Sequence, residues 1–405
     1  MLIDLLACPL SVNKLTNLSI RTLSTKKNMI IVIADDITGA AEIAGIALKH
    51  GIETVLTTET SFPDEEPEAL IIATDTRSGN AADADKWVRR IAEIIPDKGQ
   101  NIIFKKTDSV LRGHIVTELN AVMEVRNIDS ALLLPQNPSK GRIIRGGRYY
   151  IGDTPLDLTD FNRDPEFPAT SSYVKDLLKG NVETVGVKEQ LKNGKKGTIF
   201  IADAESRDDI TSQIDKADRN TLLAGGADLF TALLEHKYGK ELSDTDNGGI
   251  SIPESAIIIC GSTQSKNICE EPFIQTIGAQ EEVMPYDVFR GEAAPDYWFA
   301  RMSATYGRTK SIIISVGEKE NGGKDCAVRL RKVMSDATCR LVKEEQPELI
   351  IIEGGATAYA IISNIGWKSF KLKREYAPGI VSMTYGKTEI ILKPGSYPWG
   401  NLFKL

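Results

Sequence analysis

The chain alternates short apolar runs with segments in which apolar residues recur at helical spacing. The first three runs are Met29 to Ile33, Leu70 to Ala73 and Ile102 to Phe104. After each run, apolar residues return every three or four positions, which places them on one face of a helix. Strands and helices that alternate in this way predict an α/β fold with a mostly parallel sheet flanked by helices.

The same pattern divides the chain into two halves. It continues to a helix predicted over Asp228 to Tyr238, and it restarts with a strand at Ala256 to Cys260. The intervening residues 240–254 are polar, contain glycine and proline, and show no periodicity, so we predict a linker there. We predict a first domain over residues 29–239 and a second over 255–405, with the active site in the cleft between them.

Residues 1–28 stand apart from this pattern. They hold one acid, Asp4, and four basic residues, and the basic residues follow the short apolar part. A targeting peptide usually has the opposite order. Because Met29 opens a predicted strand directly, we interpret residues 1–28 as an N-terminal extension and favour Met29 as the start of the chain.

Composition and charge narrow the class of protein. The 405 residues carry a net charge of -7, which argues against a nucleic-acid or membrane-surface partner, because such partners attract basic surfaces. No apolar run reaches the roughly 18 residues that span a bilayer. The five cysteines are odd in number, scattered and without metal-ligand spacing, which favours free thiols in the cytoplasm.

The alternation pauses between Pro135 and Ser172. This span holds five of the chain's 17 prolines and several turn signals. Loops of this length in compact domains are usually functional or disordered. Its basic residues are Lys140, Arg142, Arg145 and Arg148. Each of them either contacts an anionic ligand or belongs to a solvated hairpin, and the sequence leaves both alternatives open.

Three of the predicted strands end in clusters of charged and hydroxyl residues. Asp35 and Asp36 follow the first strand, Asp75 to Arg77 follow the second, and Lys105 to His114 follow the third. The carboxyl ends of parallel strands meet at one edge of a sheet, so these tips can converge on one polar pocket. The sequence therefore predicts a site for a small polar ligand in the first half.

Glycine turns follow three predicted strands of the second half, at Gly261-Ser262, Gly354-Gly355 and Lys393 to Ser396. Missing side chains let a ligand approach the backbone, and a helix N-terminus offers N–H groups to anions, so the three turns suit a nucleotide. Each one alone is more often just a tight turn. Neither a P-loop string nor a dinucleotide fingerprint occurs.

Four strings together resemble the four-carbon acid sugar kinase family. They are Ala34 to Ala40, Asp75 to Arg77, Lys105 to Gly113, and Gly141-Arg142 with the following Asp164-Pro165. The resemblance runs from about Met29 to the C-terminus. It implies an N-terminal acid-sugar-binding domain, a C-terminal nucleotide-binding domain, and ATP-dependent phosphorylation of threonate, erythronate or 3-oxo-tetronate type acids.

The resemblance also implies roles for individual residues. The implied substrate-binding residues are Asp35 or Asp36, Arg77, Lys106, Thr107, Asp108 and Ser109. We predict that Asp36 and Arg112 also belong to the substrate site. The implied nucleotide-binding residues are Ser262, Gly354, Gly355, Ala356, Thr357 and Gly395. ATP and Mg²⁺ are the implied cofactors, without a named metal ligand, and a homo-oligomer is left open.

Two departures from the family pattern lie in the second domain. Ala356 stands where the family usually has an aspartate, and the stretch after Lys393 loses a hydroxyl and gains bulk. The alternative to a kinase is therefore a non-catalytic protein that binds sugar acid and nucleotide and has a degenerate ATP site.

Asp108 is the leading sequence candidate for the group that accepts the proton of the attacking hydroxyl, with Asp35 and Asp36 as competitors. Basic neighbours would keep Asp108 ionised. The alternative is that Asp108 caps the following helix. Arg77 and Lys106 are predicted to hold the substrate carboxylate, and the alternative for them is a surface ion pair of small energetic value.

Overall fold

A computed structural model of the chain describes most of the sequence. The N-terminal extension other than Asn28, positions 240–248 of the predicted linker, and Ser262 lie outside the described residues. The described ranges are 28–63, 66–97, 101–164, 166–191, 195–239, 249–261, 277–317 and 323–395, together with positions 268, 274, 399, 402 and 403.

The first half alternates strands and helices as predicted. Its strands are β1 Ile30–Ala34, β2 Thr54–Thr57, β3 Ala69–Ala73, β4 Ile102–Lys106, β5 Ser130–Leu134, β6 Arg142–Arg145, β7 Arg148–Ile151, β8 Thr154–Pro155, β9 Val182–Val185, β10 Thr198–Ala202 and β11 Thr221–Gly225. Its helices are α1 Ile37–Lys49, α2 Ala81–Ile94, α3 Ile115–Arg126, α4 Val174–Leu177, α5 Arg207–Ile214 and α6 Ala227–Tyr238.

The second half repeats the alternation and adds an antiparallel hairpin. Its strands are β12 Ala256–Cys260, β13 Gln280–Val283, β14 Ser311–Ser315, β15 Leu349–Glu353, β16 Ser369–Ala377, β17 Ile380–Tyr385 and β18 Thr388–Lys393. Its helices are α7 Tyr286–Arg290, α8 Asp296–Thr309, α9 Gly323–Glu345 and α10 Gly355–Ile365. Within the described ranges, no helix is long and apolar enough to cross a membrane.

One continuous sheet runs through both halves. Its strand order is β13-β14-β12-β15-β18-β17-β16-β2-β3-β1-β4-β11-β5-β10-β9. Pairing is antiparallel only where β2 meets β16, β16 meets β17 and β17 meets β18. The predicted α/β fold with a mostly parallel sheet flanked by helices is confirmed. The two predicted domains are joined in one sheet rather than built on separate sheets, and β6, β7 and β8 form a small sheet of their own.

The three antiparallel contacts reverse the direction of the second half. An odd number of reversals separates β2 from β18 and its parallel neighbours, so the two parallel sections run in opposite senses. Sheets twist by about 20 to 25° per strand, and the twist accumulates over these contacts. Thr38 at the start of α1 lies against Gly355, which shows that the end of β1 and the end of β15 meet.

A shared apolar core and helix α1 tie the halves together. One core cluster contains Val32 and Phe104 of the first half and Ile257 of the second. Gly45 lets α1 approach β16 closely, since an added Cβ would lie 2.6 Å from a carboxylate oxygen of Glu375. The halves therefore bury apolar surface against each other, which is the main stabilising contribution in folding.

The end of the predicted linker belongs to the second half. Ile250 is 1% exposed and forms a β-bridge with Phe403. It packs in a core cluster with Ala256 and Ile258. The packed part of the second half therefore begins before residue 255, because an apolar side chain at position 250 gains free energy by leaving water.

Candidate active site

The carboxyl ends of β3, β1 and β4 lie side by side. β1 pairs with β3 on one side and with β4 on the other, so Ala34 aligns with Ala73 and with Lys106. The polar residues that follow the three strands consequently share one edge of the sheet, as the sequence pattern predicts.

Arg77 binds the two aspartates that follow β1. It donates hydrogen bonds to Asp35 at 2.7 and 3.0 Å and to Asp36 at 2.8 and 3.1 Å. Its Nη1 also lies 3.5 Å from a carboxylate oxygen of Asp108. The charge of Arg77 is thus neutralised by the protein itself, and this arrangement fixes the orientation of both aspartates.

Arg112 clamps Asp108. It donates from Nε and Nη2 to the two carboxylate oxygens at 3.0 and 2.9 Å, and the N–H groups of Val110 and Arg112 donate to Oδ2. Arg112 also reaches Asp164 at 3.1 Å. Helix α3 has His114 as its N-cap residue, so Asp108 closes the preceding turn and does not cap the helix.

The three aspartates differ in how readily they accept a proton. Burial raises the pKa of Asp35, but Arg77 and Lys105 bring this pKa below its usual value. Burial acts the same way on Asp108, and Arg77 and Arg112 hold the pKa of Asp108 well below its usual value. For Asp36, burial and the Asp35 charge outweigh Arg77 and raise the pKa. Asp36 is therefore the most basic of the three.

Asp36 is also the most accessible of the three. Its side chain is 19% exposed, against 3% for Asp35 and 7% for Asp108. It is the N-cap of α1, where it accepts the N–H of Gly39 at 2.9 Å. Asp36 lies two residues before Thr38, which contacts the second half, so it is placed where the halves meet.

Lys105 and Glu118 form a buried ion pair beneath the site. Their side chains are 0% and 2% exposed, and the Lys105 nitrogen lies 2.7 Å from Glu118. Glu118 also accepts the Thr76 hydroxyl at 2.6 Å, and Thr76 shares a hydrogen bond with Thr74. This buried network holds Thr74 and Thr76, and with them the residues that follow β3, in place.

Lys106 has a different environment from Lys105. Its nitrogen donates to the Thr107 carbonyl at 3.0 Å and lies 3.6 Å from Glu42, which also accepts from Lys140 at 2.6 Å. The Thr107 hydroxyl is buried and lacks a hydrogen-bond partner within the described part of the chain. No motif in the sequence marked Glu42, which lies in the second turn of α1.

Asp75 was not among the predicted site residues, although it lies within the tip of β3. It has a left-handed backbone with φ of 53°, which Asp tolerates better than most residues. Burial raises the pKa of Asp75 to about 7, and the Asp36 charge adds to this shift while Arg331 of α9 opposes it. Asp75 therefore lies between the acidic tips of the first half and a helix of the second.

Asp75 makes stability depend on pH. Its pKa is raised above the ordinary 3.8, so the folded protein holds this proton more tightly than the unfolded chain, and the associated stability is lost as pH rises towards 7. Asp75→Asn, which keeps the left-handed backbone, should exceed the wild-type Tm by a margin that is clearly larger at pH 8 than at pH 5. A Tm difference that is the same at both pH values would contradict this prediction.

The hairpin of β6 and β7 forms a further wall of the site. Tyr149 donates its hydroxyl to the Ser109 carbonyl at 2.5 Å, and Arg142 donates to the Ser109 hydroxyl. The guanidinium carbons of Arg112 and Arg142 lie 5.6 and 5.8 Å from the centre of the Phe161 ring. The predicted substrate residue Ser109 is thus fixed by the hairpin.

The predicted nucleotide residues of the second half lie at the ends of β15 and β18. Gly354 has φ of 95° and leads into α10, whose first turn has no side-chain cap. Ala356 is exposed and Thr357 is buried against Gly261, while Gly395 follows β18. Uncapped N–H groups at a helix start favour anions. The remaining predicted nucleotide residue, Ser262, lies outside the described residues.

Lys393 is not a free phosphate ligand. Its nitrogen lies 2.6 Å from Glu353, and the two side chains are 1% and 0% exposed. The nitrogen also lies 4.5 Å from the centre of the Trp399 ring. The charge of this lysine is compensated within the second half.

Gly355 packs directly against α1. A Cβ at this position would lie 2.0 Å from the Thr38 hydroxyl oxygen. The adjacent cavity, lined by Ile37, Gly354 and Lys393 among others, has a volume of about 10 Å³. This volume suits roughly one water molecule.

The contact between Gly355 and Thr38 can be tested by a double-mutant cycle. Gly355→Ala should lower the free energy of unfolding by about 1–3 kcal/mol, because the added methyl group overpacks the junction. Thr38→Ala removes the hydroxyl, so the double variant should recover most of the loss. Urea denaturation gives the four stabilities, and effects that add within about 0.5 kcal/mol would contradict the contact.

The residues do not need to form a metal cage for a kinase reaction. In the part of the chain that the structure describes, no group of three or more His, Cys, Asp or Glu residues is placed to hold a metal ion. Mg²⁺ that acts with ATP usually keeps several waters and is held by one or two carboxylates together with the phosphates.

A family model described as a sugar-binding N-terminal domain matches residues 30–233 of this chain, which is just over half of it. The chain belongs to this family. The match lies within the predicted first domain, so the polar strand tips fall inside the sugar-binding domain. The resemblance to four-carbon acid sugar kinases is confirmed by the names of the relatives.

Curated relatives of this chain are named as kinases. The D-threonate kinase of Bordetella bronchiseptica is 34% identical over 154 residues, which cover 36% of this chain and 38% of that protein. The 3-oxo-tetronate kinase of Pseudomonas fluorescens is 23% identical over 421 residues, which cover 94% of this chain and 97% of that protein. The more similar relative is therefore matched over little more than a third of its length.

A solved structure of the same architecture comes from Salmonella typhimurium and is named "putative tRNA synthase". It matches with a TM-score of 0.73 and 20% identity, and the match covers 92% of this chain and 97% of that one. Identity this low shows a shared fold alone.

Proposed function

We propose that this protein is an ATP-dependent kinase that phosphorylates a hydroxyl group of a four-carbon sugar acid of the threonate, erythronate or 3-oxo-tetronate type. The observation that carries the proposal is the junction at which the acidic tip of β1 meets the glycine turn after β15, through Thr38 and Gly355. A kinase needs its acceptor site and its nucleotide site at such a junction. The kinase names of the relatives support the same activity.

The acceptor hydroxyl must lose a proton as its oxygen attacks the γ-phosphorus and the bond to the ADP oxygen breaks. Of the three candidate aspartates, Asp36 is the best suited to accept that proton, because its pKa is raised and its side chain is the most exposed. Asp35 and Asp108 stay ionised, and with Arg77 and Arg112 they hold the site in shape. The proposed proton acceptor thus shifts from Asp108 to Asp36.

ATP is proposed to bind along the ends of the second-half strands. The contacts would come from Gly354, Gly355, Ala356, Thr357, Gly395 and Ser262, where backbone N–H groups and small side chains favour phosphate. Mg²⁺ bound with ATP would offset the charge that develops on the transferring phosphoryl group. We propose a cytoplasmic location, which fits a reaction that consumes ATP, and a homo-oligomer stays a prediction.

A non-catalytic sugar-acid-binding protein is the second candidate. The tight packing of Gly355 on Thr38 and the compensation of Lys393 by Glu353 favour it, because both leave little for a nucleotide to bind. The two candidates differ in whether a bound acid is turned over.

The proposal is tested by measuring ATP consumption in the presence of three- to six-carbon hydroxy acids and Mg²⁺. A kinase should consume ATP in the presence of at least one four-carbon sugar acid, and the amount of ATP consumed should rise in proportion to the amount of that acid. Tight binding of a sugar acid in calorimetry, with no ATP consumption for any member of the panel, would contradict the kinase and support the second candidate.

A further inference from the structure

Most cations at this edge of the sheet already have a carboxylate partner. The side-chain nitrogens of Arg77, Arg112 and Lys105 lie 2.7, 2.9 and 2.7 Å from the nearest carboxylate oxygens. Arg142 differs, because the described residues place no carboxylate within the 4.0 Å of an ion pair. Its charge is therefore the one that the described part of the site leaves without a direct partner.

The residues beside Arg142 add to this positive charge. Lys106 and Lys140 lie 3.6 and 2.6 Å from the same carboxylate, Glu42. Burial raises the pKa of Glu42, yet the charges of Lys106, Lys140 and Arg142 bring it below its usual value. Three cations thus act on one carboxylate, and the surplus favours an anion at this corner.

Arg142 is also held in a fixed place. It donates one hydrogen bond to the Ser109 hydroxyl, and its guanidinium carbon lies 5.8 Å from the centre of the Phe161 ring. Ser109 is itself fixed by the Tyr149 hydroxyl, which donates to its carbonyl. A guanidinium has five N–H donors, so after the bond to Ser109 it keeps donors for a carboxylate.

We propose that Arg142 anchors the carboxylate group of the sugar acid, with Ser109 orienting the guanidinium and Lys106 adding positive charge. This inference rests on the proposed function and names the substrate contact within it. Arginine suits the task because its planar fork binds a carboxylate through two parallel hydrogen bonds.

Arg77 is less suited to be this anchor. To bind the substrate carboxylate it would have to give up hydrogen bonds to Asp35 and Asp36, which lie between 2.7 and 3.1 Å. The buried Asp35 and the partly exposed Asp36 would then lose their counter-charge, which is costly for the buried group above all. Arg77 is therefore assigned to positioning these aspartates, and the predicted anchoring pair of Arg77 and Lys106 becomes Arg142 and Lys106.

The test compares Arg142→Gln with Arg145→Gln by calorimetry, in the absence of ATP. Arg145 lies on the same strand, is exposed and pairs with Glu205, so it is a matched control. The probes are D-threonate and D-erythronate, and the uncharged tetritols threitol and erythritol. Arg142→Gln should raise the Kd for the acids roughly 10- to 150-fold, the loss expected for one charge-assisted hydrogen bond. Arg145→Gln should leave the Kd unchanged.

The tetritols separate loss of the anchor from general damage. Their weak binding should be the same in the wild type and in Arg142→Gln, because they have no carboxylate. Acid binding by Arg142→Gln within twofold of the wild type would overturn the inference, and so would a wild type that binds neither acid. Acid binding that depends on Arg142 without any phosphorylation would keep the anchor and overturn the kinase, so the two failures are distinguishable.

Discussion

Replacing Asp36 by asparagine is expected to lower kcat at least about 100-fold, the usual contribution of a general base. Asparagine caps a helix about as well as aspartate, so α1 should keep its N-terminus and the Gly39 N–H its acceptor. Arg77 also keeps its two hydrogen bonds to Asp35. The variant should therefore fold and bind the acid, and lose only the group that takes the proton. Steady-state kinetics with urea denaturation of the same preparation measures both properties.

Asp108→Asn is the comparison that decides between the aspartates. Asp108 accepts from Arg112 and from two backbone N–H groups, so its loss should disturb the turn and affect KM and stability more than kcat. If Asp36→Asn stays within tenfold of the wild-type kcat while Asp108→Asn loses 100-fold, Asp108 is the proton acceptor. Asp36 would then be only a helix cap.

Replacing Lys105 by methionine is expected to lower the free energy of unfolding by about 3–5 kcal/mol, the usual cost of leaving one partner of a buried ion pair alone. Glu118 would keep the Thr76 hydroxyl but lose the cation that compensates its charge. Neither side chain has access to water that could solvate the remaining carboxylate. Chemical denaturation at pH 7 measures the change.

A second substitution in the same background separates the ion pair from packing. Adding Glu118→Leu to Lys105→Met removes the unpaired charge, so the double variant should regain more than half of the lost stability. Lys332→Met is the surface control, because Lys332 pairs with Asp336 while 74% exposed, and such pairs contribute little. A double variant no more stable than Lys105→Met would mean that the lysine acts through packing alone.

The sequence predicts the first-half strand tips well because each one follows a buried apolar run. Residues such as Ile31 and Val32 are buried on both faces of the sheet, so the run itself marks the strand and its end marks the site. Parallel pairing then brings Asp35, Arg77 and Lys106 to one edge without further information. The positions of these strand tips therefore follow from the local sequence pattern and parallel pairing alone.

The sequence did not indicate which charges neutralise each other. Arg77 and Asp35 are 42 residues apart, and their pairing depends on the exact course of two loops. In β16, buried Phe370 and Leu372 alternate with exposed Lys371, yet nothing local in the sequence indicates that this strand pairs with β2. The contact of Gly355 with Thr38 joins the same two halves. A glycine that the sequence predicts to approach a nucleotide therefore also packs against the first half.

Phosphorylation of a sugar acid by this protein can be followed directly through the γ-phosphoryl group. ATP labelled at the γ-phosphate is incubated with Mg²⁺ and, separately, with D-threonate, D-erythronate and 3-oxo-tetronate, and the acids are analysed by mass spectrometry. The proposed kinase activity predicts a labelled phosphorylated acid with at least one of them, formed by the wild type and at least about 100-fold more slowly by Asp36→Asn. Label found only as free phosphate, or left on ATP while the acids bind, would contradict it.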